Sequence, residues 1–124
     1  VEASGRNDRP RGPAPKPFKG RSVMLIDGGT RSAGELFAQG YKTENLGPLF
    51  GTKTPGAVSG GSVEQLPGGL ILYIATSRVV MDGTVLEGVG VAPTREIPRP
   101  IPYSAGADPV LDAAIEHLAG IAAP

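Results

Sequence analysis

Apolar and polar positions repeat along this chain with two different periods, and each change of period marks an element. Ser22-Val23-Met24-Leu25-Ile26 is a short, nearly continuous apolar run of the length a buried strand needs. Ala33, Leu36, Phe37, Gly40 and Tyr41 then recur at helical spacing, which predicts a helix over about 31–42 with that stripe buried. Leu46 to Phe50 reads as a weaker second strand broken by Pro48, and Gly51 to Val58 is a loop by composition. Val63 to Leu66 is a short strand, Pro67-Gly68-Gly69 a turn, and Leu70 to Ala75 and Arg78 to Met81 are further strands. Asp82-Gly83 is a strong hairpin signal. Gly88 to Val91 leads into a proline-spaced tail. Asp108-Pro109 then opens a last helix with N-cap and N1 residues in the preferred order, and Val110, Leu111, Ala114, Ile115 and Leu118 are its expected buried face. This order of elements gives a mixed α/β class, and the small number of helices predicts a sheet covered on one side.

Composition refines that picture in three places. The 124 residues suit one domain or a piece of one. Glycine and proline make up 32 of them, but they fall between periodic apolar segments, as turn residues do in a globular domain. Pro10, Pro13, Pro15 and Pro17 stand among polar and charged residues, so 1–20 is expected to be a flexible lead-in and 21–124 the folded part. The chain starts at Val1, which reads as a mature product or a piece of something longer.

Twelve basic residues balance twelve acidic ones, so no net field draws the chain to nucleic acid or to an acidic membrane. The basic residues Arg6, Arg9, Arg11, Lys16, Lys19 and Arg21 lie in the proline-rich lead-in and read as a solvated linker. With no cysteine, disulfides, thiolate metal sites and cysteine nucleophiles are excluded. Leu70-Ile71-Leu72-Tyr73-Ile74-Ala75 is too short to span a bilayer. No spacing of His, Asp and Glu suggests a metal, and the glycines fit neither the P-loop nor the dinucleotide fingerprint.

Candidate chemistry centres on Asp27-Gly28-Gly29-Thr30-Arg31-Ser32-Ala33-Gly34-Glu35, a Gly-rich turn between the first strand and the first helix. Ser32 falls at the helix N-terminus, where unpaired N–H groups favour a developing negative charge. A hydroxyl there serves as a nucleophile beside an oxyanion site. Ser32-x-x-Glu35 equally matches a capping box, in which Ser32 is an ordinary helix cap. A serine nucleophile needs a base, and the single histidine, His117, sits on the last helix as a surface or flank residue. Lys42 and Lys53 are the nearest lysines that could act instead. Glu87, alone in the apolar, glycine-rich run Leu86 to Val91, either orients a catalytic group or faces solvent.

Four blocks in order resemble the catalytic domain of the carboxyl-terminal-processing (tail-specific) and tricorn-type serine peptidases. They are Gly28 to Glu35 after its strand, the Gly51 to Ala57 loop, Leu66-Pro67-Gly68-Gly69 with its strand, and Asp82 to Pro93. The resemblance spans about 21–97 and implies the C-terminal part of such a domain. It implies an α/β fold with a crotonase/Clp-like β-β-α core and a mixed sheet, one helix after the nucleophile turn and a C-terminal helix. Ser32 falls on the nucleophile position, Ala33 N–H on the oxyanion hole, and Gly28, Gly29, Thr30 and Gly56 flank the site. Glu87 stands where tricorn-type members carry a glutamate that assists the base. The processing members carry a catalytic lysine where this chain has Ala57, so a Ser–Lys dyad is not expected. Tricorn-type members use a histidine and a helper serine from far upstream.

Those groups are absent here, so the resemblance implies a missing N-terminal part or a partner chain, and no peptidase activity from the isolated chain. It further implies a peptide or protein substrate, no cofactor, room for a homo-oligomer, and a bacterial periplasmic or secreted setting. A non-catalytic peptide- or apolar-ligand-binding module on the same fold is the alternative. A crotonase-type acyl-transfer domain is a weaker one, because such sites need no serine at the Thr30-Arg31-Ser32 turn.

Overall fold

A computed structural model describes residues 16–81, 83–98 and 106–120. The expected lead-in lies outside the described residues up to position 15, and 16–20 carries no regular element. The element order is β1 (Met24–Ile26), α1 (Ala33–Thr43), β2 (Leu49–Gly51), β3 (Gly61–Leu66), β4 (Leu70–Ala75), β5 (Val80–Met81), β6 (Thr84–Val85), β7 (Arg95–Glu96) and α2 (Pro109–Ala119). The class is mixed α/β as expected, with one helix directly after the Gly-rich turn and a second at the C-terminal end. Parallel pairing builds a three-stranded sheet in the order β1-β2-β7, while β3–β4 and β5–β6 are antiparallel hairpins.

Side chains alternate between the two faces of the parallel sheet. Met24 pairs with Leu49 and Leu25 with Phe50, so Met24, Ile26 and Leu49 share one face and Leu25 and Phe50 the other. Ile26 and Leu49 pack with Ala38 and Tyr41 of α1, and with Val58, Leu86 and Val91 from the loops, to form the core. Phe50 on the opposite face meets the His117 ring of α2 edge-on at 5.3 Å, and the Arg95 guanidinium lies 5.5 Å from its centroid. The sheet is therefore covered on both faces, not one. The expectation counted helices, whereas β2 is buried throughout and requires cover on each side.

Both helices bury only part of the face their apolar periodicity predicts: Tyr41 and, in part, Leu36 in α1, and Ala114 in α2. In α1 the buried residues are Glu35, Ala38 and Tyr41, while Ala33 is exposed and Phe37 is 65% exposed. In α2 only Ala114 is fully buried, and Leu111, Ile115 and Leu118 are exposed. His117 is half-buried against Phe50, so it is a sheet-facing residue rather than a surface one. The cap signal of α2 is realised. The Asp108 carboxylate accepts the Leu111 N–H at 3.1 Å, with Pro109 next in the chain. Asp108→Ala is expected to lower unfolding free energy by about 1 kcal/mol, with Asp108→Asn near neutral, as read by urea denaturation.

The β3–β4 hairpin pairs six residues with six, Val63 opposite Tyr73 and Leu66 opposite Leu70, around two glycines at positive φ. Both of its faces are exposed, from Val63 on β3 to Ile71 (71%) and Tyr73 on β4. In β5–β6, Met81 pairs with Thr84, which bears out the Asp82-Gly83 hairpin signal.

Candidate active site

Backbone geometry singles out one residue at the start of α1. Ser32 is the N-cap, with φ 51° and ψ −120°, a conformation that L-residues with a side chain rarely adopt. Such strain persists only where the surroundings over-determine it, and it clusters at functional turns. A sharp strand-to-helix turn of this kind projects a side chain out of the fold, and Ser32 is exposed.

The Asp27 carboxylate shapes the approach to that turn. Its Oδ1 accepts Gly29 N–H at 2.8 Å and Thr30 N–H at 3.1 Å, and the Thr30 hydroxyl accepts Asp27 N–H at 3.1 Å. Gly28 and Gly29 are not at positive φ, and a Cβ on Gly28 would meet nothing within 4 Å. The glycine character of Gly28 is thus not demanded by the turn itself, whereas a Cβ on Gly29 would stand 3.1 Å from Asp27 Oδ1.

The amides around Ser32 are committed, with one exception. Ser32 N–H donates to Ala57 O at 2.9 Å, Gly34 N–H to Arg31 O at 2.9 Å, and Glu35 and Leu36 N–H to Ser32 O at 2.9 and 3.2 Å. Among the described residues, no acceptor is bonded to the Ala33 N–H at the first position of the helix. Both arms of the capping box between Ser32 and Glu35 are in place, but loosely. Glu35 Oε2 accepts Ser32 N–H at 3.3 Å, whereas the Ser32 hydroxyl faces Glu35 N–H without a cap hydrogen bond of full geometry. The serine hydroxyl is thus only weakly engaged by the helix end.

Two carboxylates hold the 52–60 loop beside the turn. Glu35 is fully buried; its Oε1 accepts the Thr54 hydroxyl and Gly56 N–H, each at 2.6 Å, and its Oε2 accepts Ala57 N–H at 2.7 Å. Four donors around one carboxylate offset the cost of taking it out of water. Thr54 passes the restraint on, since its hydroxyl also accepts Val91 N–H at 2.8 Å.

Glu87, exposed on the far side of the loop, accepts Val58 N–H at 2.9 Å and Ser59 N–H at 2.7 Å, both on Oε2. The Ser59 hydroxyl, then the Val58 and Ser59 amides, hold its carboxyl below the usual 4.5. A depressed carboxyl contributes stability that is present above the unfolded value and is lost as pH falls through the folded one. Glu87→Gln is therefore expected to lower the melting temperature near pH 7, with the difference from the parent chain vanishing on acidification below the carboxylate range. Thermal melts from pH 7 to 3 read this directly.

The structure thus brings Ser32, Ala33, Gly56 and Glu87 to one loop, at Ala57 and the two residues after it. It does not bring a base. His117 lies across the sheet on Phe50. Lys42 is at the other end of α1, donating to Ala92 O at 3.2 Å and about 15 Å along the helix from Ser32. Lys53 is exposed, and among the described residues no lysine or histidine is bonded to Ser32. Sequence reading missed Glu35 as part of the site, because it saw only the local cap. No group of His, Asp and Glu suited to a metal occurs among the described residues, and no helix there is long and apolar enough to cross a membrane.

Comparisons with known proteins bear on the same elements. The model of peptidase family S41 matches residues 2–97. Tricorn protease homolog 2 of Streptomyces coelicolor is 32% identical over 113 residues, covering 88% of this chain and 9% of that protein. Tricorn protease of Thermoplasma acidophilum is 30% identical, with 90% of this chain and 11% of that protein covered. The crystal structure of the tricorn protease superposes with a TM-score of 0.75 at 30% identity, covering 90% of this chain and 12% of that one. The crystal structure of mature CPAF gives 0.56 at 26% identity over 60% of this chain and 15% of that one. The chain spans about a tenth of the length of the curated relatives it matches. From the strand-turn-helix, the braced loop and these matches together, the chain belongs to peptidase family S41, as a tricorn-type member.

Proposed function

We propose that residues 21–124 are the C-terminal part of a serine peptidase catalytic domain, with Ser32 as the nucleophile. The observation that carries this reading is the strained, exposed Ser32, its hydroxyl only weakly held by the helix end, directly before an Ala33 N–H with no acceptor among the described residues. A base from upstream sequence or another chain takes the Ser32 hydroxyl proton as Oγ attacks a peptide carbonyl. The resulting oxyanion rests on Ala33 N–H and a second donor from the same missing part. The base then returns the proton to the departing amine, and water hydrolyses the acyl-enzyme. Glu87 orients that base. Its two amide bonds and the Ser59 hydroxyl leave the carboxylate a lone pair to offer a further donor.

Exposed apolar residues on both faces of β3–β4, on Phe37 and on α2 support the reading of a partial domain. On this account the isolated chain does not cleave peptides. A fluorophosphonate probe applied to the protein together with the polypeptide that supplies the base is expected to label Ser32. No labelling in an otherwise folded complex would point instead to a binding module on this fold.

A further inference from the structure

Four successive backbone amides, those of Gly56, Ala57, Val58 and Ser59, all donate to carboxylates, the first two to Glu35 and the last two to Glu87. Holding a loop does not require a buried carboxylate. Carbonyl or hydroxyl acceptors do so without desolvating a charge. What distinguishes Glu35 is that it also reaches the nucleophile turn. Its Oε2 takes Ala57 N–H at 2.7 Å and Ser32 N–H at 3.3 Å, while that same Ser32 N–H donates to Ala57 O at 2.9 Å. Ser32, Ala57 and Glu35 thereby close a small hydrogen-bonded ring. Thr54 anchors the ring to the core through Val91 N–H. The ring sits at the residue whose backbone is strained, where an outside restraint is needed to keep φ at 51°.

We propose that Glu35 is a positioning residue for the Ser32 nucleophile. Its buried carboxylate fixes the Ser32 backbone against the 54–57 loop and turns the Ser32 N–H inward, so that this chain presents Ala33 N–H to the oxyanion. The inference rests on Ser32 being the nucleophile. Glu35 touches no reacting atom and acts only through the Ser32 backbone and the loop.

Glu35→Gln tests it in the peptidase assembled with the part that supplies its base. The side-chain amide keeps one acceptor but sets a donor against N–H groups that already donate. Expected is a fall in kcat per fluorophosphonate-titrated site of about tenfold to a hundredfold with KM changed less than about twofold. A merely structural role lowers the number of titratable sites and leaves kcat per site unchanged, and that result overturns the proposal. Thr54→Val carries the test if Glu35→Gln does not fold. It removes the hydroxyl between Glu35 and Val91, and is expected to cost about fivefold in kcat per site, with Thr54→Ser restoring it. Full kcat per site in Thr54→Val again overturns the proposal. Ser32→Ala in the same assay separates the two ideas. If it stays active, the nucleophile reading fails; if it is dead while Glu35→Gln is fully active per site, only the role of Glu35 fails.

Discussion

Ser32→Ala is expected to lower peptide cleavage by the assembled peptidase by about a millionfold, leaving what oxyanion binding alone supplies. The same substitution should leave stability almost untouched. An N-cap serine ordinarily contributes about 1 kcal/mol through its hydroxyl. Here the hydroxyl makes no cap bond of full geometry, and Glu35 N–H already has the Ser32 carbonyl. Alanine is as strained as serine at φ 51°, whereas Ser32→Gly should relieve that strain and raise unfolding free energy by about 1 kcal/mol while also abolishing cleavage. Activity assays and chemical denaturation on the three proteins check both halves. Full cleavage by Ser32→Ala together with a loss of stability would return Ser32 to the role of a helix cap.

The parts of this site that the sequence exposes are those made by neighbours along the chain. Strand, Gly-rich turn and helix start are adjacent, so the place of Ser32 could be read from Met24 to Glu35, as the α2 cap could from Asp108-Pro109. Glu35 was hidden for the opposite reason. Three of its four partners lie 19 to 22 residues away in a loop with no periodicity. Hydrophobic patterning also assigns a glutamate to solvent, which misplaces part of the inner face of α1. Once the carboxylate has four donors its burial is tolerated, and the helix turns so that Glu35, Ala38 and Tyr41 face the core and Phe37 faces out. Apolar periodicity failed on α2 differently. Leu111, Ile115 and Leu118 form a stripe, yet the three-stranded sheet accommodates only the side carrying Ala114 and His117.

The two clamps also differ in what they can do. Glu35 is enclosed and has spent its acceptors inward, which suits a fixed brace. Glu87 is exposed and takes both loop amides on one oxygen, which suits a group that meets another chain segment. Ser32 and Glu87 therefore address successive residues of one loop without being bonded to each other.

Gly56→Ala is expected to be among the most damaging single-methyl changes in the chain. Gly56 is buried at φ +79°, and an added Cβ would stand 2.6 Å from Val89 N, 2.7 Å from Gly90 N and 2.7 Å from Leu86 O. All three are backbone atoms, so no rotamer change relieves the contact. Left-handed strain costs about 1–3 kcal/mol and overpacking a similar amount. Moving the residue also disturbs its N–H bond to Glu35 and its carbonyl bond from Gly88 N–H at 2.8 Å. A total of about 3–5 kcal/mol is a large share of the stability of a small domain, and corresponds to a fall in melting temperature of roughly 15 °C or more. Gly28→Ala is the matched control, since its Cβ meets nothing and its φ is not positive; it should shift the midpoint by no more than about 0.5 kcal/mol. Comparing the two melts separates a glycine required by packing from one that stands in open space beside the Ser32 turn. Equal melts would mean that the loop does not run past Leu86 and Gly90 as described, and that Glu35 and Glu87 do not hold it there.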